Sequence, residues 1–430
     1  MKLIDELAER YRDHASPFLI APDRPLSIAD LQATQSADLS TIKAGDVVAV
    51  VGDFDAVSIS TLLHLLDRAA TVVPLTTTTR ADHPYYFDAS GVNAVVEGNA
   101  VELLPRRAAH PLVAQLRETG SAGLVLFSSG TTGRPKAILH DFSRFLARYR
   151  TPRPALSTVS FLLFDHIGGI NTLFHTLFNR GLVVVPPERT VQGVIETIAR
   201  HRIQCLPTTP TFLRMVLLSG ALEGVDVSSL SLVTYGTERM DQPTLDALCR
   251  ALPHVDFRQT YGMSELGILR VKSRARDSLW MRVGGEGVEL RVVDGVLHIR
   301  TTNHMLGYLN APSPFVDGWY DTGDVVEEDS GDIRVVGRTN EVINVGGAKV
   351  LPSEIERVAL LLPQIARAKA VGARNPITGQ HIEVTCEPDA LAVVTREQLR
   401  EHFRAHLPEH SRPHRIRIGG VPVSHRFKRE

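Results

Sequence analysis

The chain has 430 residues, a formal net charge of −1 and 22% charged residues. That balance excludes a surface built mainly around nucleic acid or an acidic membrane, while leaving room for a local basic patch. With 43% apolar residues, the length supports two or three domains with cores of their own.

The opening segment MKLIDELAERYRD (1–13) is charged and amphipathic, so it does not read as a secretory leader. No run of about 18 apolar residues occurs, so no membrane span is expected. Short β-branched runs recur at DVVAVV (46–51), TVVPL (71–75), GLVLF (123–127) and SLVTY (231–235). Helical patterns separate them, as in VSISTLLHLLDRA (57–69) and VQGVIETIARH (191–201). This alternation predicts an α/β fold with largely parallel sheets. The tract TTTT (76–79) is expected to be a strand exit. Cys205, Cys249 and Cys386 show no ligand spacing, which points to a reducing, cytoplasmic setting.

After about residue 280 the texture changes. GVELRVV (287–293) and VLHIRT (296–301) are separated by Gly and Asp turns, which predicts a small β-rich subdomain over about 280–337. Pro352 and SEIE (353–356) read as a capping box, with Ser353 as cap and Glu356 reaching back. An apolar helix follows, then IARAKAVGA (365–373), HIEVTCE (381–387), a helix near 396–406 and HRIRIGG (414–420). Together they predict a small α+β unit. The boundary falls near GRTNE (337–341). The expected organisation is a large N-terminal α/β domain over 1–337, a hinge at 338–341 and a small, mobile C-terminal domain over 342–430.

The chemistry begins at FSSGTTGRPKAI (127–138). Small residues after a strand let backbone N–H groups converge on an anion, and hydroxyls and a lysine add donors and charge. A Walker loop requires GxxxxGK[ST]. Here Pro135 stands where the second glycine belongs, and Ala137 replaces the hydroxyl that would hold magnesium. The segment is therefore a phosphate-loop candidate of another kind.

Further motifs follow in order. They are YGTERM (235–240), QTYGMSELG (259–267), DGWYDTGD (317–324), GRTNEVINVGGAKVLPSEIE (337–356) and VPVSHRFKRE (421–430). With SSGTTGRPK, this series resembles the signature of the acyl-adenylate-forming superfamily of acyl- and aryl-CoA ligases, nonribosomal adenylation domains and luciferases. The resemblance covers the chain from about residue 40 to its end. It implies that Ser128, Ser129, Gly130, Thr131, Thr132, Gly133 and Lys136 hold the ATP phosphates. Gly236, Thr237 and Glu238 would flank the adenine, and Tyr261 and Gly262 would offer it a face. Asp324 would accept the ribose hydroxyls, and Arg338 would contact ribose or phosphate. Ser264 would donate to the α-phosphate, and Glu265 would ligate Mg²⁺ as a hard oxygen donor. Asn340 takes the hinge position, where the family usually has Asp or Lys. Lys428 matches the catalytic lysine, close enough to the last residue to imply a complete C-terminus, while the N-terminal part is short for the family.

The resemblance also implies two steps. A carboxylate attacks the α-phosphate of ATP, giving an acyl-adenylate and pyrophosphate. A thiol, from coenzyme A or from a carrier-protein phosphopantetheine, then displaces AMP. A swing about the hinge would remove Lys428 and bring in VGGAK (345–349), where Gly346 and Gly347 permit the close approach a pantetheine tunnel needs. Glycines there equally suit a plain turn.

The acid pocket should involve FLLFDHIGGINTL (161–173). Aligned on Gly168, Asp165 takes the amino-binding position of amino-acid adenylation domains. Aligned on Gly169, His166 resembles the gate of acyl-CoA ligases. Both phases stay open on sequence. A histidine that merely bonds at a helix start is a third reading. Met263, Leu266 and Gly267 complete the expected pocket, and its apolar character suggests a small or medium aryl or acyl acid. An acyl carrier protein is the partner implied if coenzyme A is not the acceptor. The competing readings are a stand-alone amino-acid-adenylating enzyme using Asp165, and a catalytically silent nucleotide-binding regulator.

Overall fold

The computed structural model describes residues 2–33, 37–128, 134–376, 379–389 and 392–423. Two seven-stranded sheets form the large N-terminal body. In the first, Val47–Val51 lies centrally and pairs in parallel with Thr71–Leu75 and Ala94–Glu97. All five residues of Val47–Val51 are buried, as expected for a strand covered on both faces. Gly123–Phe127 pairs in parallel with Thr71–Leu75 but antiparallel with Ala137–Asp141. The edge is closed by Gly307–Tyr308, antiparallel to Ala137–Asp141. The second sheet runs Asp256–Gln259, Leu232–Tyr235, Cys205–Thr208, Ser157–Val159, Leu182–Val184 and Leu19–Ile20, all parallel, with Pro25–Leu26 antiparallel at its end.

Helices Ala56–Asp67 and Ile167–Phe178 share one core. Ile59, Leu62, Leu63, Leu173, Phe174 and Leu177 are all fully enclosed, together with Val48 and Val50 of the central strand. The first helix starts where Asp55 accepts from the Ser58 amide, satisfying a first-turn donor. It is buried nearly all round, which its apolar composition on every face requires.

A third, antiparallel sheet spans Arg270–Ser273, Met281–Gly284, Asp332–Arg338, Trp319–Asp329, Val296–Thr301 and Val288–Val293. It therefore begins ahead of residue 280, at Arg270. Beyond Arg338 comes a single 3₁₀ turn, Thr339–Glu341. The strand Ile343–Val345 then opens a five-stranded sheet, with helices Pro352–Ala359 and Arg396–His406 beside it. This α+β unit has its own core, which includes Ile355, Val384 and Phe403.

The capping box expected at 353–356 is not formed. The helix is preceded by Leu351, and Pro352 occupies its first turn. The Ser353 hydroxyl instead donates to the Val336 carbonyl, and Glu356 accepts from the Ala370 amide. The physical reason is register: with Leu351 as cap and proline at the first helical position, Ser353 falls at the second helical position, two residues past the cap. A capping box does form at Thr395 and Gln398.

Two arginines of the large body reach this unit through its main chain. Arg214 donates to the Ala366 carbonyl at 2.9 Å and Arg239 to the Ser353 carbonyl at 3.3 Å. Among the described residues, no helix is long and apolar enough to cross a membrane.

Candidate functional site

The phosphate-loop candidate joins two antiparallel strands, Gly123–Phe127 and Ala137–Asp141. A Walker loop runs from strand into helix, so the helix N-terminus that such a loop exploits is absent here. Ser129, Gly130, Thr131, Thr132 and Gly133 lie outside the described residues. The neck of the loop is clasped: the Ser128 amide donates to the Lys136 carbonyl at 3.1 Å, and the Lys136 amide to the Ser128 hydroxyl at 3.0 Å.

The edge segment 305–310, which the sequence reading did not single out, fixes the exit of this loop. The Asn310 side-chain carbonyl accepts from the Ala137 amide at 2.9 Å, and its amide donates to the Pro135 carbonyl at 3.2 Å. Tyr85 donates to the same Pro135 carbonyl at 2.7 Å. Tyr308 serves two groups at once. Its hydroxyl donates to Glu265 Oε1 at 2.8 Å, and its ring lies 4.9 Å from Lys136 Nζ. Burial, followed by the Glu265 charge, raises the Tyr308 pKa far above the ordinary phenol value, so the hydroxyl stays a donor.

Glu265 is 9% exposed. It sits on the tight hairpin formed by Gly262–Met263 and Gly267–Ile268. A Cβ on Gly262 would lie 2.4 Å from the Gly267 carbonyl oxygen, so only glycine allows the strands to close. The backbone of the neighbouring Ser264 is held by His140, whose Nε2 lies 2.7 Å from the Ser264 carbonyl oxygen.

His140 is 2% exposed. Burial first, then the nearby Arg148 charge, lowers its pKa from 6.5 to about 4. The unfolded chain therefore binds more protons between those values. Stability is complete above pH 6.5 and falls as pH drops through the window to 4, by roughly 3 kcal/mol from this group. Thermal melts from pH 7 to 4 should record the decline. It should be shallower in His140→Gln, which can still donate to the carbonyl; an unaltered slope would refute the assignment.

A second cluster is built around Asp324, which is 5% exposed. Its Oδ2 accepts from the Tyr261 hydroxyl at 2.6 Å and its Oδ1 from Arg338 Nε at 2.8 Å. Each oxygen keeps a lone pair for a further donor. The turn after strand Leu232–Tyr235 holds Thr237 at φ +67°, an uncommon conformation for a residue with a side chain. A Cβ on Gly236 would lie 2.2 Å from the Thr260 hydroxyl. Glu238 accepts from the amide and hydroxyl of Thr211, tying the turn to the start of helix Pro210–Ser219.

One cavity of about 1770 Å³ connects these groups. Ser128 and Lys136 line it at the loop; Ser264 and Glu265 line it at the hairpin. Gly236, Thr237, Glu238, Tyr261, Gly262, Asp324, Arg338 and Asn340 line it as well. His166, Gly168, Met263 and Leu266 line the remaining wall.

Five expected residues lie off that wall. Asp165 is 6% exposed behind it. His166 caps helix Ile167–Phe178, its Nδ1 accepting from the Gly168 amide at 3.0 Å, which turns His166 toward the cavity and Asp165 away. Gly169 serves close packing: a Cβ there would lie 2.0 Å from the Leu163 carbonyl oxygen. Gly267 takes φ +71° to turn the hairpin. Gly346 and Gly347, at φ +57° and +91°, form the two-residue turn between strands Ile343–Val345 and Ala348–Val350, the conformation that tight hairpins demand. Lys428 lies outside the described residues.

Among the described residues, no group of three or more His, Cys, Asp or Glu side chains could hold a metal by itself. A single carboxylate still fits Mg²⁺, which keeps several waters and binds substrate phosphates rather than a full protein cage. Glu265 would be that carboxylate.

A family model described as AMP-binding enzyme matches residues 5–309. The chain is 29% identical over 282 residues to 4-coumarate–CoA ligase 1 of Oryza sativa subsp. japonica, covering 57% of this chain and 50% of that protein. It is 29% identical over 276 residues to medium/long-chain-fatty-acid–[acyl-carrier-protein] ligase FadD10 of Mycobacterium tuberculosis, covering 55% and 50%. The chain thus spans about half the length of these relatives. Its fold is similar to that of the anthranilate CoA ligase AuaEII in complex with anthranoyl-AMP, with a TM-score of 0.84 at 18% identity, over 99% of this chain and 94% of that one.

Proposed function

The chain belongs to the family of AMP-binding enzymes, and from that membership we propose that it joins a carboxylic acid to a thiol through an acyl-adenylate. The observation that carries this reading is convergence. The clasped loop at Ser128 and Lys136, the carboxylate of Glu265 and the Asp324–Arg338–Tyr261 cluster all open onto one cavity, which His166 and Gly168 also line.

A carboxylate is a poor acylating agent because its leaving group is oxide. Its oxygen attacks the α-phosphorus of ATP, the α–β bridging bond breaks, and pyrophosphate departs. In the second step a thiolate attacks the acyl carbon and AMP leaves with the bonding electrons. Phosphoryl transfer of this kind depends on positioning and charge neutralisation. Lys136 and the loop amides hold the outer phosphates. Asp324 accepts the ribose hydroxyls, and Arg338 braces it. Mg²⁺, when bound on Glu265, offsets phosphate charge. Lys428 supplies a cation to the α-phosphate, and Asn340 lies in the segment about which the C-terminal unit turns between the two steps. The similarity to CoA ligases and to an acyl-carrier-protein ligase supports coenzyme A or a carrier-protein phosphopantetheine as the thiol. The free cysteines Cys205, Cys249 and Cys386 fit a cytoplasmic setting.

The cavity wall favours His166 over Asp165 as the residue facing the acid. ATP–pyrophosphate exchange across a panel of acids tests the whole reading. Acid-dependent exchange with AMP as nucleotide product is expected, and Asp165→Asn should leave the acid scope unchanged. Formation of ADP would overturn adenylation. Exchange confined to amino acids and abolished by Asp165→Ala would establish the amino-acid-activating alternative instead.

A further inference from the structure

The acid side of the cavity carries a cation that the mechanism above does not use. Arg148 follows helix Phe142–Ala147 and lines the cavity. Its guanidinium lies against Gly267, two residues beyond Glu265: a Cβ on that glycine would sit 2.2 Å from Nη1 and 2.6 Å from Nη2. The absence of a side chain at 267 is what lets the arginine lie there. Arg148 is braced by the Phe145 ring at 4.9 Å and donates from Nη2 to the Asn303 carbonyl at 3.4 Å. Its Nε is buried with no hydrogen-bond partner. Among the described residues it forms no ion pair with any Asp or Glu.

This sets it apart from its neighbours. Arg338 and Arg258, also on the cavity wall, are paired with Asp324 and Asp256. Arg153 and Arg270 line the cavity but are solvent-exposed. A partly buried guanidinium without a counter-charge is costly unless something anionic meets it. Aromatic stacking orients the group but does not neutralise it. Asn171 lines the same cavity. Its side-chain oxygen accepts from the Tyr149 hydroxyl at 3.0 Å, which leaves its amide nitrogen as a second donor.

We propose that Arg148 receives a second carboxylate on the substrate, so that the acid activated here is a dicarboxylate rather than the apolar aryl or acyl acid expected from sequence. The guanidinium fork matches a carboxylate in two parallel hydrogen bonds, and it lies against Gly267, which follows the cavity-lining Leu266 in the chain. This rests on the adenylation reading: one carboxylate attacks ATP and the other is bound.

The test is pyrophosphate exchange with matched pairs, butyrate against succinate, hexanoate against adipate, and benzoate against isophthalate, in the wild type, Arg148→Leu and Arg148→Lys. The wild type should prefer the diacid in at least one pair. Arg148→Leu should collapse that diacid-to-monoacid ratio in kcat/KM by on the order of 10²-fold, with Arg148→Lys intermediate because charge remains and the fork is lost. Thermal melts and ATP affinity establish that the variants fold. A wild type that favours every monoacid, or an Arg148→Leu variant that lowers both members of each pair equally, overturns the proposal and leaves adenylation standing. Absence of exchange with any acid overturns adenylation itself, and this inference with it.

Discussion

Glu265→Gln is expected to slow acyl-adenylate formation by roughly two to three orders of magnitude. Glutamine keeps the shape and an oxygen for the Tyr308 hydroxyl, so the hairpin at 262–268 should stand. What disappears is one negative charge at a residue only 9% exposed, and with it the anchor for a hard cation. The loss should appear as a raised Mg²⁺ requirement and a lowered maximal exchange rate, with thermal stability nearly unchanged. Tyr308→Phe separates positioning from charge. It removes a hydrogen bond to a carboxylate, worth roughly 1.5–3 kcal/mol, and should raise half-saturating Mg²⁺ by about tenfold while retaining more of the maximal rate than Glu265→Gln. An exchange rate within threefold of wild type in Glu265→Gln would remove this residue from the reacting centre.

Lys428→Ala should likewise cut adenylate formation by roughly two to three orders of magnitude, because it deletes a cation aimed at charge that develops on the α-phosphate. Its signature differs from that of Glu265. Nucleotide binding should persist, since Lys136, Asp324 and Arg338 remain. Thiolation of a supplied acyl-adenylate should be affected much less, because the lysine is expected to leave the site before the thiol enters. Single-turnover measurement of each half-reaction decides it. Equal loss in both steps would contradict a C-terminal unit that turns between them.

The groups proposed to react were legible in sequence because the proposed chemistry restricts residue type and spacing. An acid suited to a metal, an acid suited to a ribose and a loop of small hydroxyl residues admit few substitutes. The groups that hold them were not legible. His140 meets Ser264, Tyr308 meets Glu265, and Asn310 meets Ala137 and Tyr85, all across more than 40 residues. No local pattern encodes such meetings; they follow from Gly307–Tyr308 joining the sheet edge beside Ala137–Asp141.

The Asp165/His166 ambiguity was a one-residue phase. The start of helix Ile167–Phe178 bears on it: His166 caps the helix and lines the cavity, whereas Asp165 does not line it. Gly346 and Gly347 illustrate the reverse: a functional and a plain reading shared one pattern, and this arrangement uses them as a turn. Ser353 shows how a motif with correct letters fails when proline shifts the helix start.

Arg214 and Arg239 of the large body donate to main-chain carbonyls of the C-terminal unit, at Ala366 and Ser353. Carbonyl acceptors are present whatever residue occupies position 353 or 366, so these two bonds do not depend on side-chain identity there. Hydrogen bonds from a charged donor contribute roughly 1.5–3 kcal/mol each. A net bias of about 3 kcal/mol would leave the undocked arrangement at somewhat under 1% of molecules. On the proposed two-step mechanism, that is rare enough to keep the docked form dominant and frequent enough that the thiol substrate would need only a modest difference in affinity to draw the unit over.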